Sequence, residues 1–367
     1  MLAVNAARRP VGRRGVLLLS YWGVLSCAGC GAPPVTSTST DNASVSAGGA
    51  AATASDAHPA SLDVESAWTR AGNAGAVETL VWQPGQGRFV SGSASGQVRL
   101  WDRGGNVLQT VQVAGFVSGL SWTSDGARLA IATTLGAVSF WPESGARPAT
   151  LPAQVNRYAA VAWSPKGGTL ALAGGEGAVM LWSGPGTPGP ALPVDGQTTA
   201  VAWSPDGASL VGGSRGGDVT VWGADGRQRW QVKAPERRDV NSLAWSPDGT
   251  QLAAGDESGT VRLLSAAGGA LIAELPQGRP VNAVAWSPNA SLLAVSSLRF
   301  SVTLWDVQQR TVLADLAVGY DVNGVVWSPE GDLLVAGADD HALHAWTVRP
   351  AQGPSPNAAT APGYMAR

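Results

Sequence analysis

The sequence predicts an all-β fold, and three observations support this prediction. Tryptophan recurs in two regular registers, a short turn motif recurs with it, and glycine is abundant at 48 of 367 residues. Charged residues make up only 14% of the chain. Many glycines among many apolar residues are typical of short strands joined by tight turns, so we expect strands rather than helices.

The two tryptophan registers define a repeat. Members of the first register are separated by 40, 41, 40, 42, 41 and 41 residues; they are Trp82, Trp122, Trp163, Trp203, Trp245, Trp286 and Trp327. The second register follows each member by 19 residues; it comprises Trp101, Trp141, Trp182, Trp222, Leu264, Trp305 and Trp346. Self-similarity at a fixed period of this length predicts a repeat architecture.

Residues 240–275 illustrate one repeat. The segment VNSLAW is apolar and β-prone, SPDG supplies a tight turn, and TQLAAG is a second short strand. TVRLL alternates with period two as a third strand, and ALIAEL is a fourth. Four strands in one repeat are the pattern of a β-propeller blade. The sequence therefore predicts a seven-bladed β-propeller of four-stranded antiparallel blades over residues 63–349.

The third strand of each repeat has steady and variable positions. The steady apolar positions, such as Val98 and Leu100, are expected to pack between blades. The variable positions between them are expected to be less constrained; they are Arg99, Ser139, Met180, Thr220, Arg262, Thr303 and His344.

The two ends of the ring are predicted to join in one blade. The last repeat stops after its third strand near Val348, and the tail after it is unsuited to a fourth. Residues 64–70 precede the first repeat, where a fourth strand belongs. We expect this N-terminal strand to pair with the last third strand and leave no exposed edge.

The WSPDG and VxLWD motifs resemble the WD-repeat family over about residues 64–349. The literal Trp-Asp pair stands at Trp101-Asp102 and Trp305-Asp306. The resemblance implies blades around a central channel, no catalytic activity of their own, and partner binding at a rim. Two loop sets form this rim: those that enter each first strand and those that join the second and third strands. Of seven positions where the family often has aspartate, only Asp340 fits, so the buried hydrogen-bond network of the family must be mostly missing.

The N-terminal segment, residues 1–30, is predicted to be an export signal. Four arginines between residues 8 and 14 precede an apolar stretch at 15–26 that is too short to span a bilayer. The run VLSCAGCGAPP resembles a bacterial lipoprotein cleavage box and implies lipidation of Cys27 or Cys30, with Cys27 favoured. The arginine pair at 13–14 also resembles a twin-arginine signal. An ordinary cleaved signal with incidental cysteines, giving a secreted soluble protein, is the alternative.

Two segments are predicted to be disordered. Residues 31–62 are mostly Ser, Thr, Ala and Gly and are interpreted as a tether, and residues 350–367 as a tail. The mature protein is therefore expected to be an extracytoplasmic, membrane-anchored lipoprotein of the cell envelope.

Catalytic and metal-binding residues are sparse. The three histidines are His58 in the tether, His344 on a third strand and His341 beside Asp339 and Asp340. That last cluster is one short loop, for which a solvated acidic turn is favoured over a metal site. Asp206 and Asp248 recur as turn formers. We predict no enzyme, no metal and no cofactor, and the net charge of −2 gives no reason to expect nucleic acid.

Function is predicted to be that of a scaffold that binds protein partners through the rim. The alternatives are a propeller that binds a small ligand or sugar and, less favoured, a hydrolase or cyclase. Five repeats have glycine five residues before the second-register position, whereas repeats six and seven have Phe300 and His341. This difference selects a candidate partner-binding patch: Arg279, Arg299, Phe300, Tyr320, Asp321, Asp340 and His341.

Overall fold

All 27 strands of the described residues pair antiparallel, as the alternating apolar pattern favours. The computed structural model describes residues 62–142, 149–151, 158–174, 176–183, 188–234 and 238–350, which belong to one compact unit, His58–Arg367. These residues contain no helix, and therefore no helix long and apolar enough to cross a membrane. Cys27, Cys30 and His58, the signal segment and nearly all of the tether and tail lie outside the described residues.

The first two repeats form separate four-stranded sheets. An N-terminal strand, β1 (Leu62–Arg70), precedes them. Repeat one contains β2 (Val77–Trp82), β3 (Arg88–Ser93), β4 (Gln97–Asp102) and β5 (Val107–Gln112). Repeat two contains β6 (Val117–Trp122), β7 (Arg128–Thr133), β8 (Val138–Pro142) and β9 (Ala149–Leu151). Strand order follows chain order in both sheets.

The third and fourth repeats share a strand and form one seven-stranded sheet. Its strands are β10 (Ala160–Trp163), β11 (Leu170–Ala173), β12 (Glu176–Trp182), β13 (Pro188–Trp203), β14 (Ser209–Ser214), β15 (Val219–Gly223) and β16 (Gln228–Val232). Strand β13 has 16 residues. It pairs with β12 as far as Gln197 and with β14 from Thr198 onward, so no unpaired loop separates the two repeats.

The prediction of seven four-stranded blades is therefore wrong. The structure has five four-stranded blades, and the seven-stranded sheet takes up the other two repeats. The tryptophan registers count repeats correctly, but they do not reveal whether the chain leaves strand conformation between one repeat and the next.

The last three repeats form separate sheets again. Repeat five contains β17 (Val240–Trp245), β18 (Gln251–Asp256), β19 (Thr260–Ser265) and β20 (Leu271–Pro276). Repeat six contains β21 (Val281–Trp286), β22 (Leu292–Ser297), β23 (Ser301–Asp306) and β24 (Thr311–Ala317). Repeat seven contains β25 (Val322–Trp327), β26 (Leu333–Ala338) and β27 (Leu343–Pro350).

Closure by the N-terminal strand is confirmed. Strand β1 pairs with β27 and completes the sheet β1-β27-β26-β25, with Val64 opposite Val348 and Trp68 opposite Ala345. Both ends of the described ring thus lie in one sheet, and β27 does not present a free edge.

The hydrophobic core lies between successive repeats. One cluster, for example, joins repeats one and two through Val98, Leu100 and Trp122. Another joins repeat seven to repeat one and includes Phe89, Trp101, Leu343 and Ala345. Because that cluster joins the last repeat to the first, the ring is closed by apolar burial as well as by β1.

Hydrogen bonds between first strands reinforce this packing. The indole N–H of a first-register tryptophan donates to the carbonyl of the residue before the equivalent tryptophan in the preceding repeat. These pairs are Trp203 to Ala162 at 3.1 Å, Trp245 to Ala202 at 3.2 Å, Trp286 to Ala244 at 3.0 Å and Trp327 to Ala285 at 3.1 Å. The acceptor residue is alanine in all four pairs.

The first three repeats lack this hydrogen bond. For Trp82, the equivalent acceptor residue is Val326 of repeat seven. For Trp122 and Trp163, it is Val81 and Ser121 of the preceding repeat, respectively. Among the described residues, the indole nitrogens of these three tryptophans have no hydrogen-bond partner. This series of indole hydrogen bonds therefore runs across repeats three to seven and stops at the three boundaries that join repeats seven, one, two and three.

The steady positions of the third strands are buried, as predicted, including Val98 at 0% and Leu100 at 7% exposure. The expectation for the variable positions is wrong in four repeats, because Ser139, Thr220, Arg262 and Thr303 are also buried. Arg262 lies 3.7 Å from Asp256 and donates to the Gly217 carbonyl at 2.9 Å. These contacts compensate the guanidinium for only part of its lost water, and burial lowers the pKa of Arg262.

The repeated turn motif acts as predicted. The hydroxyl of Ser204 donates to Asp206 at 2.6 Å, and the same carboxylate accepts the Ala208 N–H at 2.9 Å. The Thr250 N–H donates to Asp248 in the same way at 3.0 Å. Both carboxylates therefore fix turns, which is the structural role expected of them.

Candidate functional site

One position in the turns between second and third strands carries a side chain only in repeats six and seven. Glycine takes a left-handed φ at Gly96 (80°), Gly136 (75°), Gly177 (73°), Gly217 (89°) and Gly259 (82°). Phe300 (64°) and His341 (66°) take the same conformation in repeats six and seven. The turns keep their shape despite the missing glycine, at the expense of local strain.

Glycine is required where the neighbouring loop is close. A Cβ on Gly259 would lie 2.6 Å from the backbone nitrogen of Arg279, and one on Gly96 would lie 2.3 Å from the Val113 carbonyl oxygen. In repeat six the turn has room for a phenylalanine, whose side chain is 52% exposed.

Two exposed aromatic residues come together at repeats six and seven. The carbonyl of Phe300 accepts hydrogen bonds from the N–H groups of Val318 at 2.8 Å and Gly319 at 3.0 Å. These bonds hold the loop that carries Tyr320 against the turn that carries Phe300. Tyr320 is 53% exposed, so the two loops present a pair of aromatic surfaces to solvent.

Two arginines lie on the repeat-five side of this aromatic pair. The Leu298 N–H donates to the Pro280 carbonyl at 3.1 Å, which joins the Arg299 turn to the loop that carries Arg279. Arg299 itself donates to the Gln277 carbonyl at 3.2 Å. Both arginines are exposed.

Carboxylates lie on the opposite side of the aromatic pair. The Asp339 N–H donates to the Asp321 carbonyl at 3.0 Å, and Asn323 donates to the Asp339 carboxylate at 2.7 Å. Burial and then the Asp339 charge raise the pKa of Asp321 above its ordinary value. Among the described residues, one oxygen of the Asp321 carboxylate has no hydrogen-bond partner.

The side chain of Asp340 is engaged in hydrogen bonds, whereas the side chain of His341 is exposed. Asp340 contacts His344 at 2.9 Å and accepts the Ala342 N–H at 3.0 Å, so this carboxylate is engaged within its own repeat. His344 also stacks on Trp346, which agrees with a structural role for that histidine. His341 is exposed, and its carbonyl accepts two hydrogen bonds from Asn73, each at 3.2 Å.

A second exposed apolar pair escaped the sequence analysis. Phe116 and Leu135 are 57% and 61% exposed, and the Thr134 N–H donates to the Phe116 carbonyl at 3.0 Å. They occupy, in repeat two, the same two classes of loop that carry Tyr320 and Phe300. The signal was present: an aromatic residue at position 116 stands directly before a first strand, where repeats five and seven have Asp239 and Asp321.

The described part of the chain contains no group of three His, Cys, Asp or Glu residues arranged to hold a metal ion. The loop of Asp339, Asp340 and His341 does not form such a group; Asp339 accepts a hydrogen bond from Asn323, and Asp340 contacts His344. The rim of repeats six and seven presents aromatic surfaces and charged side chains.

Comparisons with known proteins match repeat segments of the chain. Residues 65–102 and 315–347 match the family described as "WD domain, G-beta repeat". Residues 201–289 match the family described as "Anaphase-promoting complex subunit 4 WD40 domain". No curated protein sequence matches the chain. The matched segments cover parts of the closing sheet, most of repeats one and seven, and all of repeat five.

Proposed function

We propose that this chain is a non-enzymatic platform that binds a protein partner at the rim of repeats six and seven. The proposal starts from the premise of a WD-repeat propeller, which these matches support. WD40 repeats generally mediate protein–protein interactions or scaffolding, and their propellers are typically non-catalytic. The observation that carries the proposal is the exposed aromatic pair Phe300 and Tyr320 with charged side chains on both sides.

The chemistry of this rim suits a protein surface. Aromatic and arginine side chains are enriched among the residues that dominate protein–protein binding energy. Phe300 occupies a backbone conformation that disfavours a side chain, so it weakens the local structure while it exposes an apolar surface. Local rules are most often broken at functional sites, which supports a binding role for this turn.

A location outside the cytoplasm is part of the proposal. It rests on the arginine-rich start, the apolar stretch at 15–26 and the cysteines at 27 and 30. A lipid on one of these cysteines would hold the ring at a membrane surface, and stable anchoring requires several acyl chains. Replacing Cys27 and Cys30 with serine should abolish incorporation of labelled fatty acid and release the protein from the membrane fraction. Absence of label from the wild-type protein in its native cell would contradict the anchor.

The binding role is tested by chemical crosslinking and affinity capture from native membranes. Wild-type chain and the variants Arg299→Glu, Phe300→Ala and Tyr320→Ala are compared, with Val312→Ala as the matched control. Val312 is an apolar side chain of similar exposure, 50%, on the outer strand β24. Each rim variant should remain folded by circular dichroism and lose the protein captured by the wild type, whereas the control should retain it. Equal capture by all five proteins would place the site elsewhere on the ring.

A further inference from the structure

The charged side chains of this rim are arranged in a fixed order. Backbone hydrogen bonds join the loop 277–280 to the turn 298–300, that turn to the loop 318–321, and that loop to the turn 339–341. Along this path lie two arginines, then two aromatic residues, then two carboxylates. We call this path the basic–aromatic–acidic band: Arg279, Arg299, Phe300, Tyr320, Asp321 and Asp339.

The charges of the band are not neutralised by one another. Among the residues that the structure describes, no carboxylate pairs with Arg279 or Arg299, and no cation pairs with Asp321 or Asp339. The aromatic pair lies between the two signs along this path. The hydrogen bonds of Arg299 and Asp339 are to the neutral groups of Gln277 and Asn323, so the charges of the band can still act on a second molecule.

In the neighbouring repeats four and five, charged side chains on the same loop face form ion pairs within the ring. Arg215 lies 3.4 Å from Asp239, and Lys233 lies 3.2 Å from Asp195. In each of these pairs a cation and a carboxylate of repeats four and five neutralise each other within the ring. The separation of charge at repeats six and seven thus distinguishes them from these two neighbouring ion pairs.

We propose that the partner presents to the band one short protein segment with an acidic, an apolar and a basic side chain in that order. This inference rests on the function proposed above. The acidic side chain faces Arg279 and Arg299, the apolar side chain packs on Phe300 and Tyr320, and the basic side chain faces Asp321 and Asp339. Opposite charges across an interface favour the matching partner and disfavour others, because a reversed segment would face like charge at both ends.

The mixed signs favour a protein segment over a polyanion. A nucleic acid or an anionic membrane surface would gain from the two arginines but be repelled by Asp321 and Asp339. A protein segment is the macromolecule that supplies both signs and an apolar side chain within a few residues. The same mixture selects one orientation of the segment on the ring.

The test uses a phage-displayed library of random peptides selected on the full-length chain. Enriched peptides should share the order acidic, apolar, basic in one chain direction. They should bind the Arg279→Glu variant about tenfold more weakly, which is the effect of one charge pair worth about 1.4 kcal/mol. The matched control is Arg227→Glu, since Arg227 has a side chain that is 90% exposed outside the band; it should bind as the wild type does.

Rescue by charge exchange provides the decisive measurement. A selected peptide in which the acidic residue is replaced by lysine should bind the wild type weakly and recover affinity for Arg279→Glu. Failure of this rescue, enrichment of peptides without the expected order, or no enrichment would overturn the inference. The double variant Phe300→Ala/Tyr320→Ala separates the two proposals. If this double variant loses peptide binding but Arg279→Glu does not, only the charge order is refuted. If the double variant binds peptides as the wild type does, the rim site itself is refuted.

Discussion

The indole N–H of Trp327 donates to the carbonyl of Ala285 across 3.1 Å, which links the first strand of repeat seven to that of repeat six. Trp122 holds the equivalent position in repeat two, but its indole nitrogen has no hydrogen-bond partner among the described residues. The two tryptophans are 6% and 8% exposed, so they differ in hydrogen bonding much more than in burial.

This pair allows the contribution of one inter-repeat hydrogen bond to be measured. We expect Trp327→Phe to lower the free energy of unfolding by about 1 kcal/mol more than Trp122→Phe, because both variants lose similar apolar volume but only the first leaves a part-buried carbonyl without its indole donor. Urea denaturation of both variants measures the difference. Equal losses would show that the indole hydrogen bond contributes nothing net to stability.

Deletion of residues 62–72 tests closure of the ring. It removes β1, uncovers the outer edge of β27, and exposes apolar residues of repeats six and seven against which Leu62 and Val64 pack. We expect the cooperative thermal transition to be lost, because the cores between repeats form one continuous ring. Deletion of residues 41–51 removes the same length of chain and serves as the control. An unchanged melting temperature after removal of β1 would contradict its closing role.

Phe300 provides a test of backbone strain at the rim. Phe300→Gly should be more stable than Phe300→Ala by about 1 kcal/mol, because only glycine adopts the left-handed φ of 64° without penalty. The reverse exchange, Gly259→Ala, should destabilise the protein, since its new Cβ would collide with the Arg279 backbone. Urea midpoints report all three variants. A Phe300→Gly variant less stable than Phe300→Ala would show that the turn bears no such strain.

Asp321 should make the protein less stable at neutral pH. Its pKa is raised in the folded state by burial and by Asp339, so the folded protein binds more protons than the unfolded chain between the two pKa values. Stability therefore falls as pH rises through this window. Asp321→Asn should raise the free energy of unfolding at pH 7, with the gain vanishing as pH falls below the ordinary aspartate pKa of about 3.9.

Asp125 is the matched control for this prediction, because its pKa shift and the expected change in stability have the opposite sign. The pKa of Asp125 is lowered, chiefly by the Thr123 hydroxyl and the Ala127 N–H. That group contributes stability above its unfolded pKa and loses the contribution as pH falls, so Asp125→Asn should destabilise the protein at pH 7. Denaturation curves from pH 3 to pH 8 measure both variants. A pH-independent difference between Asp321→Asn and the wild type would refute the assignment.

The sequence predicted strand positions well because tryptophan and turn residues recur at each strand end. It did not predict that β13 would run through Gln197 and Thr198 without a loop, because pairing to two partners depends on both neighbouring strands. The burial of Arg262 was also missed, since its partners Asp256 and Gly217 come from a neighbouring strand and the preceding repeat. A variable residue type does not indicate an exposed position when such partners are present.

The sequence pointed to the turns of repeats six and seven but not to the arrangement of charge around them. Replacement of glycine by Phe300 and His341 is visible in an aligned repeat, and the left-handed φ at both positions gives that difference a structural basis. The charge separation was not visible, because it depends on which carboxylates the arginines fail to reach. The Phe116 and Leu135 pair was missed because neither residue interrupts the glycine pattern.

The location of β1 has a mechanical consequence. The chain enters the ring at Leu62, opposite Pro350 at the end of β27, so whatever pulls on residues 1–61 pulls on the strand that closes the ring. A partner that holds the rim while the N-terminal segment is held at a surface would load the β1–β27 pair first. Tension would then separate that pair before any other sheet, which makes the strength of the whole assembly under load equal to the strength of one antiparallel strand pair.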